Sequence, residues 1–404
     1  MSANNIDSSQ SPAPKVWQLG KHIPQLDGVR GLAILIVTLY RFSKEFPTDS
    51  LVGKIMHLGF TLGDRGVELF FVLSGFLITG ILVDAKGQQH FFKNFLARRS
   101  LRIFPLYFTA LFLFVIVFNW LNPSRPMFDL AQQNQFYLWT YLTNVKMSFA
   151  NDWCFGYLDH FWSLAVEEHF YLVWPFVLFL CSQRTALRVA CCGAALSAVA
   201  RILYAKSGES AVAPDVLTIF RCDALLIGAA IALQIRTPNG LQPIKRATYV
   251  IFPACLAVGL AFAVADKRAY TISHTLWPLI WACVLVWLLT ASQRHLLAHL
   301  FNLALLRKLG KFSYAMYVFQ SPLIPLTAGV LSASALSSLV GNNMAGHLLY
   351  IAAMSSLTYA AAVLSWYALE SHCLKLKEWF PSHQSATAPH LEPSEKMVSP
   401  LRAQ

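Results

Sequence analysis

Glu167, Glu168 and His169 stand consecutively inside the apolar stretch "HFWSLAVEEHFYLVWP". A carboxylate withdrawn from water, or an imidazole, can take a proton from an attacking hydroxyl. Arg30 and Arg41 bracket a second apolar run, "LDGVRGLAILIVTLYRF". A guanidinium cannot serve as a base, but it holds anions bidentately and stabilises negative charge as it develops. Glu68 opens "GVELFFVLSGFLITGIL", and Arg221 and Asp223 lie in "FRCDALLIGAAIA", where a structural ion pair is the alternative to a functional role. Proton transfer and anion binding are the chemistry these residues offer. Placing charges in apolar runs asks what kind of element carries them.

Hydrophobic residues make up 56% of the 404 positions and charged residues 13%, against about 25% charged in an average soluble domain. Too little polar surface remains to cover a water-facing body, and apolar runs recur along the chain. The sequence therefore predicts an all-α polytopic membrane protein. About ten transmembrane helices are expected, near 27–43, 66–83, 103–121, 162–181, 185–205, 217–235, 247–265, 273–291, 312–331 and 347–369. Gln320, Pro322 and Pro325 interrupt the ninth, and "HLLAHLFNLALLRKLG" at 295–310 reads as an interfacial helix. Lysine and arginine are more numerous in the loops after the even-numbered spans, which puts both termini in the cytoplasm. Residues 1–21 and 379–404 read as disordered cytoplasmic tails flanking one transmembrane unit, 22–378.

In such a bundle, an ionisable side chain faces a cavity or a partner. Arg30 and Arg41 are eleven positions apart, about three turns and about 16 Å of helix. They share a face, Arg30 toward the inner surface and Arg41 toward the outer one, unless both merely snorkel to opposite interfaces. Arg98, Arg99 and Arg102 precede the third span in "FFKNFLARRSLRIFPLY"; they are either topogenic charge or a clamp for an anionic cytosolic ligand. The net charge of +12 is explained by inner loops meeting anionic lipid, and no nucleic-acid partner is implied. Most cysteines fall within or beside spans, with Cys154 in an outer loop, so neither a disulfide framework nor a metal site is indicated.

In order along the chain, "LDGVRGLAIL", "GVELFFVLSGFLITGIL", "RRSLRIFPLYF", "FWSLAVEEHFYLVWP", "FRCDALLIGAAIA" and "LGKFSYAMYVFQSPLI" resemble the acyltransferase 3 family of integral membrane acyltransferases, from about residue 25 to 378. The resemblance implies transfer of an acyl group, often acetyl, from cytosolic acyl-CoA to a hydroxyl of a sugar, glycolipid, polysaccharide or secondary metabolite. It implies no cofactor beyond acyl-CoA as donor substrate, and a multi-pass location, in a bacterium the inner membrane. By position it assigns Arg30 and Glu68 to the site, Trp162, Ser163, Glu167 and Tyr171 to the "WSL…E…FY" motif, and Arg98 and Arg102 to the acyl-CoA side.

Two positions depart from the family's pattern. The first-helix histidine regarded as the base is replaced by Arg41, and a ninth-helix histidine by Gln320. A substitute base is then expected among Glu167, Glu168 and His169. His57 and His160, in or beside outer loops, are weaker candidates. Arg41 would stabilise an oxyanion or hold an anionic acceptor. The alternatives are an inactive acyl-CoA- or glycan-binding regulator and a transporter with Arg41 lining its path.

Overall fold

The computed structural model describes residues 23–121, 127–265, 270–292 and 295–381, and every regular element within them is a helix. The principal helices are α1 (Pro24–Phe42), α2 (Leu51–Thr61), α3 (Gly66–Ala85), α4 (Phe91–Leu111), α5 (Trp162–Leu180), α6 (Gln183–Ser207), α7 (Thr218–Gln234), α8 (Gln242–Ala265), α9 (Tyr270–Thr290), α10 (Ala304–Phe319) and α11 (Asn343–Ser365). Their apolar runs are longer than any soluble core requires, and in lipid a helix is the form that satisfies its own backbone.

Eight stretches are long and apolar enough to cross a membrane: Leu51–Ala85, Phe91–Leu121, Gly156–Leu180, Gln183–Ser207, Ala213–Gln234, Gln242–Phe262, Ile272–Thr290 and Asn343–Trp379. They match eight of the ten expected spans. The other two fall short for separate reasons. α1 has the length, but Asp27, Arg30 and Arg41 interrupt its apolarity. α10 ends at Phe319 and gives way to a short helix, Leu323–Thr327, because Pro322 and Pro325 deny the backbone donors that continuation would need. Both lie in the interior, where Ala33 and Ile34 of α1 and Val318 of α10 are fully buried.

The region expected as an interfacial helix is built differently. It splits into Leu296–Phe301 and the start of α10, with Ala298 and Phe301 buried. Its second part lies in backbone contact with α1: a Cβ at Gly31 would stand 1.9 Å from the Leu306 carbonyl oxygen. A second close crossing joins α3 to α7, where a Cβ at Gly75 would stand 1.9 Å from the Leu225 oxygen. Small residues at helix crossings are the usual means of packing in membranes. Residues 1–21, expected to be a tail, lie outside the described residues, as do 382–404 of the C-terminal one.

Candidate active site

Two cavities lie at opposite ends of α1, and Val67 and Tyr317 line both. The first, of about 110 Å³, holds Arg30, Arg99, Arg102, Ser74, Ser163, Glu167, Glu168 and Tyr171. The second, of about 850 Å³, holds Arg41, Lys44, Glu68, Asp159, His160, Trp162, Asp215, Arg221 and His274. Three helical turns thus separate Arg30 from Arg41 and place them in different chambers.

The first chamber is basic at one end and acidic along one wall. Arg30 lies 3.6 Å from Asp27, one turn back on α1. Arg99 sits over the Tyr171 ring at 5.6 Å, a cation–π geometry. The Tyr171 hydroxyl donates to Glu167 Oε2 at 3.2 Å and lies 2.6 Å from Ser74 Oγ, which joins α5 to α3. Glu168 faces the same space, and its Oε1 is buried with no hydrogen-bond partner.

The second chamber has a charged wall at Glu68. Its Oε1 accepts from Arg221 Nη2 at 2.9 Å, lies 2.9 Å from His274 Nδ1, and is 3.6 Å from Arg65 Nη1. His274 Nε2 reaches Asp215 Oδ1 at 3.0 Å, so an imidazole bridges two carboxylates. The Arg221 guanidinium also stands over the Trp162 ring at 5.5 Å. Arg41 Nε is buried with no hydrogen-bond partner, and no ion pair fixes Arg41 among the described residues. At the chamber mouth, partial desolvation and then the Arg41 guanidinium hold the Lys44 ammonium below its ordinary value.

The seam between the chambers is made by Ser163 and Tyr317, whose hydroxyl oxygens are 2.7 Å apart. Both also reach the His160 carbonyl oxygen, at 3.1 and 3.0 Å. The 3₁₀ turn Gly156–Phe161 carries His160 into the wall beside this seam.

Of the residues expected from sequence, Arg30, Arg102, Ser163, Glu167, Glu168 and Tyr171 gather in the first chamber, and Arg41, Glu68, Trp162 and Arg221 in the second. Four stand elsewhere. Arg98 donates to the carbonyls of Lys377 and Phe380 at 3.1 and 2.8 Å, tying down the C-terminal segment. His169 Nδ1 lies 2.7 Å from Thr218 Oγ1 at the start of α7. Asp223 pairs with Arg201 at 2.9 Å, not with Arg221, since two positions along a helix differ by about 200°. Gln320 is fully buried, with neither amide atom hydrogen-bonded.

Sequence reasoning passed over His274, Asp215, Arg201, Ser74 and Tyr317. Arg201 carried a signal, a lone arginine within an apolar helix; Arg201 also donates to the Phe220 carbonyl and Thr275. The others take their meaning from partners many positions away. Among the described residues, no group of acidic, histidine or cysteine side chains is arranged to hold a metal ion.

A family model described as an acyltransferase domain, that of acyltransferase 3, matches residues 23–367. The chain is 28% identical over 332 residues to the peptidoglycan O-acetyltransferase OatA of Listeria monocytogenes, covering 77% of this chain and 51% of the relative. It is 28% identical over 337 residues to the putative peptidoglycan O-acetyltransferase YrhL of Bacillus subtilis, covering 77% and 50%. It is 24% identical over 328 residues to the O-acetyltransferase OatA of Staphylococcus aureus, covering 75% and 51%. The chain therefore spans about half the length of the curated relatives it matches. No solved structure matches it significantly.

Proposed function

The chain belongs to the acyltransferase 3 family of membrane proteins, and from that premise we propose that it moves an acyl group, acetyl in the simplest case, from acyl-CoA to a carbohydrate hydroxyl on the other side of the bilayer. The observation that supports this reading is the approach of two chambers, one holding Arg30 and the other Arg41, to the Ser163–Tyr317 seam. In this reading a donor in the first chamber and an acceptor in the second meet there.

In this reading both termini are cytoplasmic and the first chamber opens to the cytosol of a bacterial inner membrane. Arg30, Arg99 and Arg102 hold the phosphates of the donor, because guanidinium groups bind phosphate oxygens in pairs. The thioester end reaches the seam. Glu167 fixes Tyr171 and, through it, Ser74. Glu168 is the titratable group left free on the donor side. His169, held by Thr218, is left a positioning role on α5.

Arg41, Trp162 and Arg221 face the acceptor. Arg41 supplies a permanent cation for the oxyanion of the tetrahedral intermediate, a contribution of about 10²–10³ in rate for one such donor. The Glu68 cluster holds Arg221 and shapes the chamber wall. A cell-wall glycan is the favoured acceptor class, by analogy with the peptidoglycan O-acetyltransferases it is similar to.

The test is release of free thiol from acetyl-CoA by the protein in lipid nanodiscs, with bacterial envelope glycans as acceptors. Acceptor-dependent release, accompanied by transfer of labelled acetyl to glycan, is expected. Binding of acetyl-CoA without any consumption would replace this reading with that of a binding protein.

A further inference from the structure

Acyl transfer as proposed leaves one role unfilled, the group that takes the acceptor's proton. Resting on that reading, we propose that His160 is the general base of this chain, supplied by the turn before α5 in place of the first-helix histidine that Arg41 displaces.

His160 is 4% exposed and lines the second chamber. Neither ring nitrogen makes a hydrogen bond; the carbonyls of Tyr157, Tyr317 and Val318 approach the ring without hydrogen-bond geometry. Buried polar atoms in folded proteins nearly always have partners, and a catalytic role is one of the reasons for which a side chain is kept without them. The ring is nonetheless held. It stands edge-on to Phe161 at 4.8 Å and to Tyr317 at 5.2 Å, and its backbone carbonyl is pinned by the hydroxyls at the seam. An oriented imidazole whose nitrogens lack partners, on the turn whose carbonyl meets the seam, is placed to act as a general base on an acceptor that enters the second chamber.

The histidines that could compete for this role are engaged elsewhere or stand outside the two chambers. In the same chamber, His274 has both ring nitrogens on carboxylates, and His347 Nδ1 lies 2.9 Å from the Asn343 carbonyl. His169 is held by Thr218 and His57 lines neither chamber. Glu167 and Glu168 lie on the donor side of the seam. The charged and titratable groups around His160 are Arg41 and Lys44 from α1 and its exit, Asp159 on its own turn and Tyr317 on α10.

The step balances without a co-reactant. The acceptor hydroxyl gives its proton to a nitrogen of His160 as its oxygen bonds to the thioester carbonyl carbon. The resulting oxyanion faces Arg41. The C–S bond then breaks, and the sulfur takes the proton from the imidazolium, leaving an ester and free CoA thiol.

The experiment uses the full chain in lipid nanodiscs, acetyl-CoA and a mixture of bacterial envelope glycans, with His160→Gln and His160→Ala beside the unmodified protein. Acceptor-dependent thiol release should fall at least about a hundredfold in both variants, with acetyl-CoA binding retained. Added imidazole should restore turnover to His160→Ala, and the acid limb of the unmodified protein's pH–rate profile should vanish from the residual rate. Should neither variant fold, carbethoxylation of the unmodified protein by diethyl pyrocarbonate supplies the answer: inactivation that tracks modification of His160 and is slowed by the glycan is expected. Full activity in His160→Gln, or in protein carbethoxylated at His160, would overturn this assignment while leaving the acyl-transfer reading intact. No transfer by the unmodified protein would overturn both.

Discussion

Tyr317 and Ser163 bring their hydroxyl oxygens to 2.7 Å of each other across α10 and α5, and Tyr317 is exposed to the chambers on both sides of that contact. In the proposed mechanism the pair is a partition as well as a hydrogen bond. Tyr317→Phe keeps the ring and loses the hydroxyl's two contacts, to Ser163 Oγ and to the His160 carbonyl, at about 0.5–1.5 kcal/mol each, so transfer should slow by roughly fivefold to a hundredfold. Tyr317→Ala removes the partition itself. Water from the second chamber then reaches the thioester, and thiol release without acceptor should rise while transfer to glycan falls. Comparing release with and without glycan for the two variants checks this; equal behaviour of both would show that the ring does not separate the chambers.

Glu68 is the hub of the charged wall, facing Arg221, His274 and Arg65 at once. It is 2% exposed, so its removal leaves buried cations without their counter-ion. Breaking a buried pair from one side costs about 3–5 kcal/mol. Glu68→Ala should lower unfolding stability in detergent by about that amount, and Glu68→Ala combined with Arg221→Met should recover part of the loss. Chemical unfolding of the single and double variants measures the difference; a double variant no more stable than the single would mean that His274 and Arg65 hold the balance.

Arg30 and Arg41 were legible in the sequence because their relation is local: one helix, eleven positions, one face. Gathering of Glu167, Glu168, Tyr171 and Ser163 was legible for the same reason, being a matter of α5 alone. The wall around Glu68 was not, because His274 and Arg221 lie 206 and 153 positions away and a lone histidine in an apolar run reads equally well as packing. His160 was undervalued for its place beside a loop, where only the 3₁₀ turn and the contact with Tyr317 reveal it as wall. The pairing of Asp223 shows the opposite fault. Helical geometry alone excludes Arg221 as its partner, and Arg201 stood in the adjacent helix.

Arg98 and Arg102, alike in sequence, should separate in function. Arg102 faces the first chamber, whereas Arg98 holds the carbonyls of Lys377 and Phe380 and Asn94 that of Pro381. A hydrogen bond to a charged group contributes about 1.5–3 kcal/mol, so Arg102→Ala should raise the KM for acetyl-CoA by roughly tenfold to a hundredfold. Arg98→Ala should change KM little and instead expose the 376–381 segment to protease. Steady-state kinetics and limited proteolysis on both variants test the division; a large KM effect in Arg98→Ala would mean that the C-terminal segment shapes the donor site.

Orientation has a test in Cys154, half-buried between the helix Thr143–Ala150 and the turn Gly156–Phe161. Burial is the main cause that pushes its thiol above the ordinary value; nearby Lys146 opposes the shift, and Asp152 and Asp159 add to it. The thiolate is the reactive form. A raised value leaves little thiolate near neutral pH, and the fraction grows about tenfold per pH unit until the thiol's own value is passed. In a chain whose other cysteines are replaced, a membrane-impermeant maleimide should therefore label Cys154 slowly near neutral pH and progressively faster toward about pH 9. Intact cells should be labelled as fast as permeabilised ones if the second chamber faces outward. A chain carrying Cys373 alone, beside the Arg98-bound segment, should label after permeabilisation. The reverse pattern would place the arginines of the first chamber outside the cell, where no acyl-CoA is available to them, and the donor and acceptor ends would have to be exchanged.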